Sequence, residues 1–432
     1  MTFKTSYFSE LKRESASLSF AKSLDERDPL RAFRERFYFP KNEAGEDLLY
    51  LCGNSLGLQP KNAKKNVLEE FEDWENLGVE GHFVGRRPWV SYHQPLAPLL
   101  ADIVGAKEVE VVAMNSLTTN LHLLMATFYR PTKTRFKILI EKAAFPSDQY
   151  AVASQAHYQG LDPKEAIVEM EAREGETLIR TEDIEKYLEE EGQSVALVMF
   201  GGVNYYTGQA FDFPRIVEAG HKAGAIVGFD LAHAMGNLEL KLHDWDVDFA
   251  VWCTYKYLNS GPGSVGGAFI HERFSEQKDL PRFAGWWGNE PETRFEMSDV
   301  FEPAKGANGW QLSNAPVFTM AIHLASLQLF AEAKMSRLRE KSIALTEYFL
   351  FLMDQIPQDK FEIITPRDAR FRGSQLSIRT RFDGRTLFEN ITAAGVICDF
   401  RNPDVIRVAP TPMYNSFEDV WRFVNLLKEF VS

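Results

Sequence analysis

The sequence of 432 residues predicts an α/β fold, with a large domain on a mostly parallel sheet and a smaller C-terminal α/β domain. The first observation is a series of short apolar runs without polar alternation, which is typical of strands covered by helices on both faces. The second is a helical segment, residues 212–223, between two such runs, as in a βαβ unit. The third is a change of pattern after about residue 315.

The individual elements follow in chain order. Residues 1–60 are predicted to be an N-terminal helical segment that packs on the small domain. The large domain is placed at residues 61–315, with a helix from about residue 66 and a series of strands at 136–140, 196–200, 225–229, 249–253 and 267–270. Residues 316–432 are predicted to form a long linking helix over 317–350 and the small domain, with strands at 375–379 and 405–408 and helices near 384–393 and 416–430.

Composition and charge restrict the class of protein. Apolar residues make up 45% and charged residues 25%, as in ordinary soluble domains. The net charge of −13 argues against nucleic acid or an anionic membrane as a partner. Neither a signal peptide nor an apolar run long enough for a membrane span is seen. Because Cys52, Cys253 and Cys398 are widely scattered, no disulfide framework and no metal site are expected. Together, these features predict a cytoplasmic protein.

Two charged residues follow buried strands and carry the functional prediction. Asp230 comes directly after the run ending at Phe229, and Lys256 follows the run 249–253. Ligands of open α/β sheets bind beyond the carboxyl ends of strands, so both side chains are expected at one rim. A carboxylate and a lysine there suit pyridoxal 5′-phosphate (PLP), as partner of the ring nitrogen and as Schiff-base residue. The alternative is an ion pair at the rim, the more common arrangement for an arbitrary Asp and Lys.

Neighbouring residues add to this hypothesis. His233 could orient Asp230, and Phe145 could lie against a cofactor ring. Tyr255 could donate to a phosphate or act as an acid. Ser116 or its neighbour Asn115 could cap an apolar helix whose N–H groups, with the Thr118 hydroxyl, would bind a phosphate. Each of these features also has a purely structural interpretation, as core packing or a simple helix cap.

One glycine motif is rejected as a nucleotide site. Residues 261–266 match G-x-G-x-x-G. A dinucleotide fingerprint must open a helix, whereas residues 267–270 are predicted to be a strand. We therefore interpret the motif as a glycine-rich turn after the lysine.

An ordered set of motifs extends from residue 51 to residue 410. It comprises residues 51–57, 81–82, 85–89, 145–148, 206–209, 228–234, 242–245, 254–259, 285–288, 313–314 and 407–410. Each motif alone is modestly specific. Together they resemble the kynureninase family, which belongs to the fold-type I PLP-dependent enzymes related to class V aminotransferases.

The resemblance implies a fold, an activity and an assembly. Kynureninases use PLP to cleave the Cβ–Cγ bond of L-kynurenine or 3-hydroxykynurenine with water, giving anthranilate or its 3-hydroxy form and L-alanine. The reaction belongs to tryptophan catabolism and to NAD biosynthesis. The family also implies a homodimer with shared active sites, and the sequence does not decide between the two substrates.

The resemblance also implies residue roles. Catalysis is assigned to Lys256, Tyr255 and Asp230, with Tyr255 as first and His82 as second choice of general acid or base. Arg407 would clamp the substrate α-carboxylate, since guanidinium binds carboxylate bidentately. His82 and Asn314 would recognise the aryl ketone. The cofactor would be bound by Leu117, Thr118, Phe145, Asp148, Asp230, His233, Tyr255 and Lys256, with Trp286 and Asn314 reaching it from the neighbouring subunit.

One position departs from the family pattern, which often has serine where this chain has Gly201. The departure puts one cofactor contact in doubt. Another fold-type I enzyme, such as a cysteine desulfurase or an aminotransferase, is the main alternative. A desulfurase needs an activated cysteine, but Cys253 lies in a predicted buried strand, and Cys52 and Cys398 have no activating basic neighbour in sequence. A scaffold that has lost its chemistry is a further alternative.

Overall fold

The structure, a computed structural model, describes residue 11 and residues 13–431. Within this part of the chain, α-helices and β-strands alternate from residue 18 onwards. The helices are α1 (Leu18–Arg27), α2 (Lys61–Leu77), α3 (Gly81–Val84), α4 (Ala97–Val104), α5 (Leu117–Phe128), α6 (Pro146–Tyr158), α7 (Pro163–Ala166), α8 (Thr181–Glu191), α9 (Phe213–Lys222), α10 (Val317–Ala333), α11 (Met335–Met353), α12 (Gly384–Ala393) and α13 (Phe417–Val431). The strands are β1 (Phe37–Tyr38), β2 (Leu49–Tyr50), β3 (Gln59–Pro60), β4 (Val111–Ala113), β5 (Lys137–Glu141), β6 (Ile167–Met170), β7 (Val195–Gly201), β8 (Ile226–Asp230), β9 (Phe249–Trp252), β10 (Gly267–Ile270), β11 (Phe361–Ile363), β12 (Leu376–Thr380), β13 (Val396–Ile397), β14 (Asp399–Arg401) and β15 (Val405–Val408).

A seven-stranded sheet organises the large domain, in the order β4-β10-β9-β8-β7-β5-β6. Strands β6, β5, β7, β8 and β9 are parallel, whereas β10 is antiparallel to both β9 and β4. The predicted mostly parallel sheet is confirmed, and each of the five predicted strands is present within one residue of its expected bounds. The short edge strands β4 and β6 were not predicted.

Two hydrophobic clusters explain why the strand runs are apolar throughout. Leu139, Val198 and Phe229 point to one cluster, which also contains residues of α4, α9 and α10. Ile138 and Met199 point to the other, which contains residues of α5 and α6. Both faces of each central strand are therefore buried under helices, and polar residues occur only at the strand ends.

A four-stranded antiparallel sheet, β11-β12-β15-β14, organises the C-terminal part. The N-terminal segment is attached to this part: α1 packs on α13, and β2 pairs in parallel with β13. The Asp25 carboxylate accepts hydrogen bonds from the N–H groups of Phe417 and Glu418, the first two residues of α13. The N-terminus of α13 thus takes its capping group from a residue nearly 400 positions away in the sequence.

The predicted linking helix over residues 317–350 is wrong in one respect. It is two helices, because Lys334 has φ = 69° and separates α10 from α11. Helix α10 packs against α2 and α4 of the large domain, whereas α11 packs against α13. Because α10 and α11 pack against different elements, the chain changes direction at Lys334. No Gly or Pro near this position indicates the change in the sequence.

In the described part of the chain, we find no helix with both the length and the apolar character required to cross a bilayer.

Candidate active site

Three neighbouring strands end at one pocket. β5 ends at Glu141, β7 at Gly201 and β8 at Asp230, and Gly201 is in register with Asp230. Lys256 enters the same pocket from the segment after β9. Eight residues predicted to bind the cofactor line it together: Leu117, Thr118, Phe145, Asp148, Asp230, His233, Tyr255 and Lys256.

Lys256 is the central cationic side chain of the pocket. Its Nζ lies 3.1 Å from His233 Nε2 and 5.8 Å from the centroid of the Phe145 ring. Among the described residues, no carboxylate forms an ion pair with it. The alternative of a rim ion pair between Asp230 and Lys256 therefore lacks support in the structure. The amine is left to react with a ligand.

Asp148 and Asp230 form a buried carboxyl pair. The two side chains are hydrogen-bonded to each other, and burial raises the pKa of both. Asp230 also accepts a hydrogen bond of 2.6 Å from the N–H of Ala232, which favours its ionised form. The pKa of Asp148 is raised further by the charge of Asp230. One oxygen of Asp148, Oδ1, is buried with no hydrogen-bond partner in the described structure.

His233 is held as a neutral imidazole. Burial, together with the charge of Lys256, lowers its pKa well below the usual value. Its Nε2 faces the Lys256 amine, so the amine donates and the ring proton resides on Nδ1. This Nδ1 is buried and has no partner among the described residues. The interpretation that His233 orients Asp230 differs from this arrangement, in which the imidazole contacts the lysine.

The N-terminus of α5 also lines the pocket, through Leu117 and Thr118. Ser116 occupies the N-cap position, but its side chain makes no capping bond and contacts the Thr119 hydroxyl at 3.0 Å instead. The Thr118 hydroxyl lies 2.8 Å from that of Ser147. A Cβ at Gly266 would lie 3.1 Å from the N atom of Leu117, so glycine keeps the approach to this N–H open. An uncapped helix N-terminus of this kind suits an anion.

Arg407 lies beside the pocket and is firmly anchored. It stands opposite Asp399 in the β14–β15 register, and Asp399 accepts from its Nε at 2.6 Å and its Nη2 at 2.5 Å. Its Nη1 donates to the Tyr205 carbonyl oxygen at 2.6 Å, and the Tyr205 ring packs edge-on against Phe145 at 5.3 Å. Guanidinium has five N–H donors, so two remain for a ligand.

Three predicted residues do not reach the pocket of their own chain. Asn314 is exposed and lines a separate cavity with Asn115. Trp286 is 43% exposed, and its indole N–H donates to the Arg294 carbonyl oxygen. His82 bonds the Val79 carbonyl oxygen through Nδ1.

Sequence reasoning missed Glu141, Tyr205 and Asp399. Glu141 ends an apolar run in the same way as Asp230, so the rule that found Asp230 could have found it. Tyr205 and Asp399 carried no local signal, because their contacts with Arg407 depend on how the small sheet meets the large one.

The pocket fits PLP on observations of its own. An uncapped helix N-terminus in its lining suits a phosphate, and a carboxyl pair with an unpartnered oxygen suits a protonated ring nitrogen. The amine of Lys256 and the unpartnered Nδ1 of His233 belong to the same lining. The pocket thus offers the chemistry that the cofactor requires.

One group of described residues could hold a metal ion, namely Glu110, His243 and His271. None of them lines the pocket of Lys256. Glu110 already accepts hydrogen bonds from the N–H groups of Lys107 and Glu272 and contacts His243 Nδ1 at 2.9 Å. The three side chains are thus accounted for as a structural cluster.

Relatives of known function resemble the chain over nearly its whole length. A kynureninase of Myxococcus xanthus is 57% identical over 412 residues, covering 95% of this chain and 97% of the relative. A kynureninase of Nematostella vectensis is 47% identical, covering 95% and 93%. A family model described as the kynureninase C-terminal domain matches residues 338–427. The chain belongs to the kynureninase family. Family membership makes it a PLP-dependent hydrolase, as the motifs predicted.

Solved structures show the fold. A cysteine desulfurase of Escherichia coli has a TM-score of 0.75 and 17% identity, covering 93% of this chain and 98% of its own. An apo cysteine desulfurase of Thermococcus onnurineus NA1 has a TM-score of 0.72, also at 17% identity, covering 89% and 94%. These distant likenesses confirm the predicted fold-type I class of this kynureninase family member.

The cysteines argue against desulfurase chemistry. All three are buried, and none lines the pocket of Lys256. Burial raises the pKa of Cys52 to about 12, and it also raises the pKa of Cys253 and Cys398. Thiols of this kind stay protonated and unreactive near neutral pH.

Proposed function

We propose that the chain hydrolyses the Cβ–Cγ bond of L-kynurenine, 3-hydroxykynurenine or both, with PLP bound through Lys256. The observation that carries the proposal is that one pocket brings Lys256 together with the Asp148–Asp230 pair and the uncapped N-terminus of α5. The near full-length similarity to kynureninases supports this substrate over those of other fold-type I enzymes.

Each residue of the pocket has a task in this reaction. Bound PLP supplies an electron sink that stabilises negative charge on the substrate Cα. Lys256 would hold the cofactor, and its amine would accept the substrate Cα proton. The Asp148–Asp230 pair would bind the protonated ring nitrogen, and the N–H groups at Leu117 and Thr118 would bind the phosphate. Phe145, which lines the pocket and is 43% exposed, would lie against the ring.

Arg407 binds the substrate α-carboxylate through its two remaining donors. Asp399 and the Tyr205 carbonyl oxygen fix the guanidinium, so little side-chain entropy is lost when the substrate binds. The clamp orients the Cα–H bond relative to Lys256.

Tyr255 is the proposed proton donor and acceptor at the γ-carbonyl. It lines the pocket beside Lys256, and burial raises the pKa of its phenol. The phenol therefore stays protonated at neutral pH and can donate to the oxygen formed when water adds. His82 is the second candidate, from the partner subunit.

A product assay tests the proposal. PLP-loaded protein is incubated separately with L-kynurenine and 3-hydroxykynurenine, and alanine and the aryl acid are quantified. We expect equal amounts of the two products, and the ratio of kcat/KM gives the substrate preference. Absence of aryl acid with both substrates, in protein that retains bound PLP, would refute the proposed reaction.

We also propose a homodimer with shared active sites, working in the cytoplasm. The support for the dimer is a set of exposed apolar side chains on α2, on the segment after it and on residues 286–297, comprising Phe71, Trp74, Val79, Phe83, Val84, Trp286, Phe295 and Met297. The Phe71 ring packs at a tilt against that of Phe318, with ring centroids 4.7 Å apart, and the centroids of Phe83 and Phe295 are 6.1 Å apart. A surface of this kind is typical of a protein interface. It includes Trp286, which does not reach the pocket of its own chain.

A further inference from the structure

Glu141 is a buried acidic residue at the cofactor pocket with no role in the reaction described above. It is the last residue of β5, lines the pocket and is 3% exposed. Its neighbour Lys142 does not neutralise it, because Lys142 is paired with Glu171. No basic side chain among the described residues forms an ion pair with Glu141. A buried carboxyl without a cation is costly, and such groups concentrate at functional sites.

The backbone of Gly201 holds this carboxyl group. The Gly201 N–H donates to both oxygens of Glu141, at 3.2 Å and 3.1 Å. A Cβ at position 201 would lie 2.8 Å from Glu141 Oε1, closer than such atoms approach without a shift. Gly201, the residue that departs from the family pattern, therefore leaves room for the Glu141 carboxyl group.

Glu141 is electrostatically linked to the carboxyl pair. Burial and the charge of Asp230 raise the pKa of Glu141 to about 7. In turn, the charge of Glu141 contributes to the raised pKa of Asp148. The cationic or neutral groups on the other elements of the pocket are Lys256, after β9, and neutral His233, after β8. The three carboxyl groups thus share one edge of the pocket, and the charge at this edge depends on Glu141.

We propose that Glu141 is a positioning residue of the cofactor site, where its carboxyl group, held by the Gly201 N–H, sets the negative charge with which Asp148 and Asp230 hold a protonated ring nitrogen. The inference rests on the proposed cofactor site and extends it to a third carboxyl group. It also makes Gly201 and Glu141 a coupled pair, since a side chain at position 201 has to displace the carboxyl group.

The affinity for two cofactor forms tests the proposal. Apo-protein is titrated at pH 8 with PLP and with an analogue in which C–H replaces the ring nitrogen, using wild type, Glu141→Gln and the control Glu169→Gln on the neighbouring strand. Loss of one nearby charge is expected to weaken PLP binding of Glu141→Gln about 3- to 10-fold. Affinity for the analogue, which carries no ring proton, should stay unchanged, and Glu169→Gln should match wild type for both ligands.

The outcomes separate this inference from the proposed function. Equal weakening for PLP and the analogue would show a merely structural role, and unchanged PLP affinity would remove the role altogether; either result overturns the inference. If wild type binds no PLP at all, the proposed function itself fails. The variant Gly201→Ala provides a second measurement, because its Cβ would displace the Glu141 carboxyl group without adding a hydroxyl that could contact the cofactor. It should weaken PLP binding selectively, as Glu141→Gln does, and the weakening in the double variant should be smaller than the product of the two single effects. Independent effects would contradict the coupling.

Discussion

At the scale of single residues, the pocket contains polar groups without a partner in the described structure. Half-buried Lys256 has no carboxylate partner, buried Asp148 has an oxygen without a donor, and buried His233 has a ring nitrogen without an acceptor. Buried polar groups normally find partners within the protein. Because these three side chains line the same pocket, they can be satisfied by one ligand.

The first prediction concerns Lys256. Lys256→Ala removes both the covalent attachment point and the base, so turnover of kynurenine should fall below detection. The protein should also lose the visible absorption of the covalently bound cofactor. Lys222→Ala, at the exposed end of α9, is the control and should behave like wild type. Near-normal activity of Lys256→Ala would refute the central assignment.

The second prediction concerns Arg407. Arg407→Ala should reduce kcat/KM by a factor corresponding to roughly 2–5 kcal/mol, because the substrate carboxylate and Asp399 both lose a buried partner. Steady-state kinetics with the exposed control Arg381→Ala provide the comparison. If KM and kcat/KM of Arg407→Ala equal those of wild type, Arg407 is not the clamp.

The third prediction concerns the pH dependence of stability. Burial raises the pKa of Glu141 from 4.5 to about 7, so the folded state holds this proton more tightly than the unfolded state. The resulting stabilisation is fully present below pH 4.5 and is lost as the pH rises through 7. Glu141→Gln removes this dependence. As the pH rises from 5 to 8, the free energy of unfolding of the apo variant should increase relative to that of apo wild type by on the order of 1–3 kcal/mol. Denaturant unfolding at each pH measures this difference. A constant difference across this range would contradict the raised pKa.

At the scale of elements, the ends of strands and helices position the chemistry. Three adjacent parallel strands deliver Glu141, Gly201 and Asp230 to one edge, since parallel strands have their carboxyl ends together. The N-terminus of α5 lines the same pocket. The antiparallel register of β14 and β15 sets Asp399 directly against Arg407. These alignments follow from backbone geometry and not from local sequence.

The fourth prediction tests the N-terminus of α5. Thr118→Val removes a hydroxyl that lines the pocket, and it should weaken PLP binding roughly 2- to 10-fold, the effect of one hydrogen bond. Thr119→Val is the matched control, because the Thr119 hydroxyl contacts Ser116 and does not line the pocket. Cofactor titration of the apo-proteins gives both affinities. An equal loss in the two variants would point to helix stability and away from phosphate binding.

At the scale of the whole molecule, the question is how many chains complete a site. His82, Trp286 and Asn314 lie outside the pocket of their own chain. Trp286 and Phe83 belong to the exposed apolar surface, in which both contact Phe295. A two-fold dimer would bring this surface against its own copy, as isologous interfaces do.

The fifth prediction tests the shared site. Lys256→Ala and Asn314→Ala are each expected to be nearly inactive, because each site would lack one group. Mixing them under conditions of subunit exchange should restore up to about one quarter of wild-type activity, since half of the dimers are mixed and each has one intact site. Two Lys256→Ala samples mixed together serve as the control. Absence of recovery, with mixed dimers demonstrated by mass spectrometry, would place each site within one chain.

The amino-acid sequence was enough to predict the fold class, five strands of the large sheet and eight residues that line the pocket of Lys256. It could do so because buried parallel strands are apolar throughout, and because a charged residue directly after such a run must lie at the sheet edge. The motif set fixed the family by the same local information.

The remaining features became visible only in the folded chain. The break at Lys334, the anchoring of Arg407 by Asp399 and the place of Glu141 behind Gly201 all depend on contacts between segments distant in sequence. The exclusion of His82, Trp286 and Asn314 from the pocket of their own chain is also visible only in three dimensions. Local patterns encode which face of an element is buried, whereas the partner of a buried charge is chosen by packing between elements.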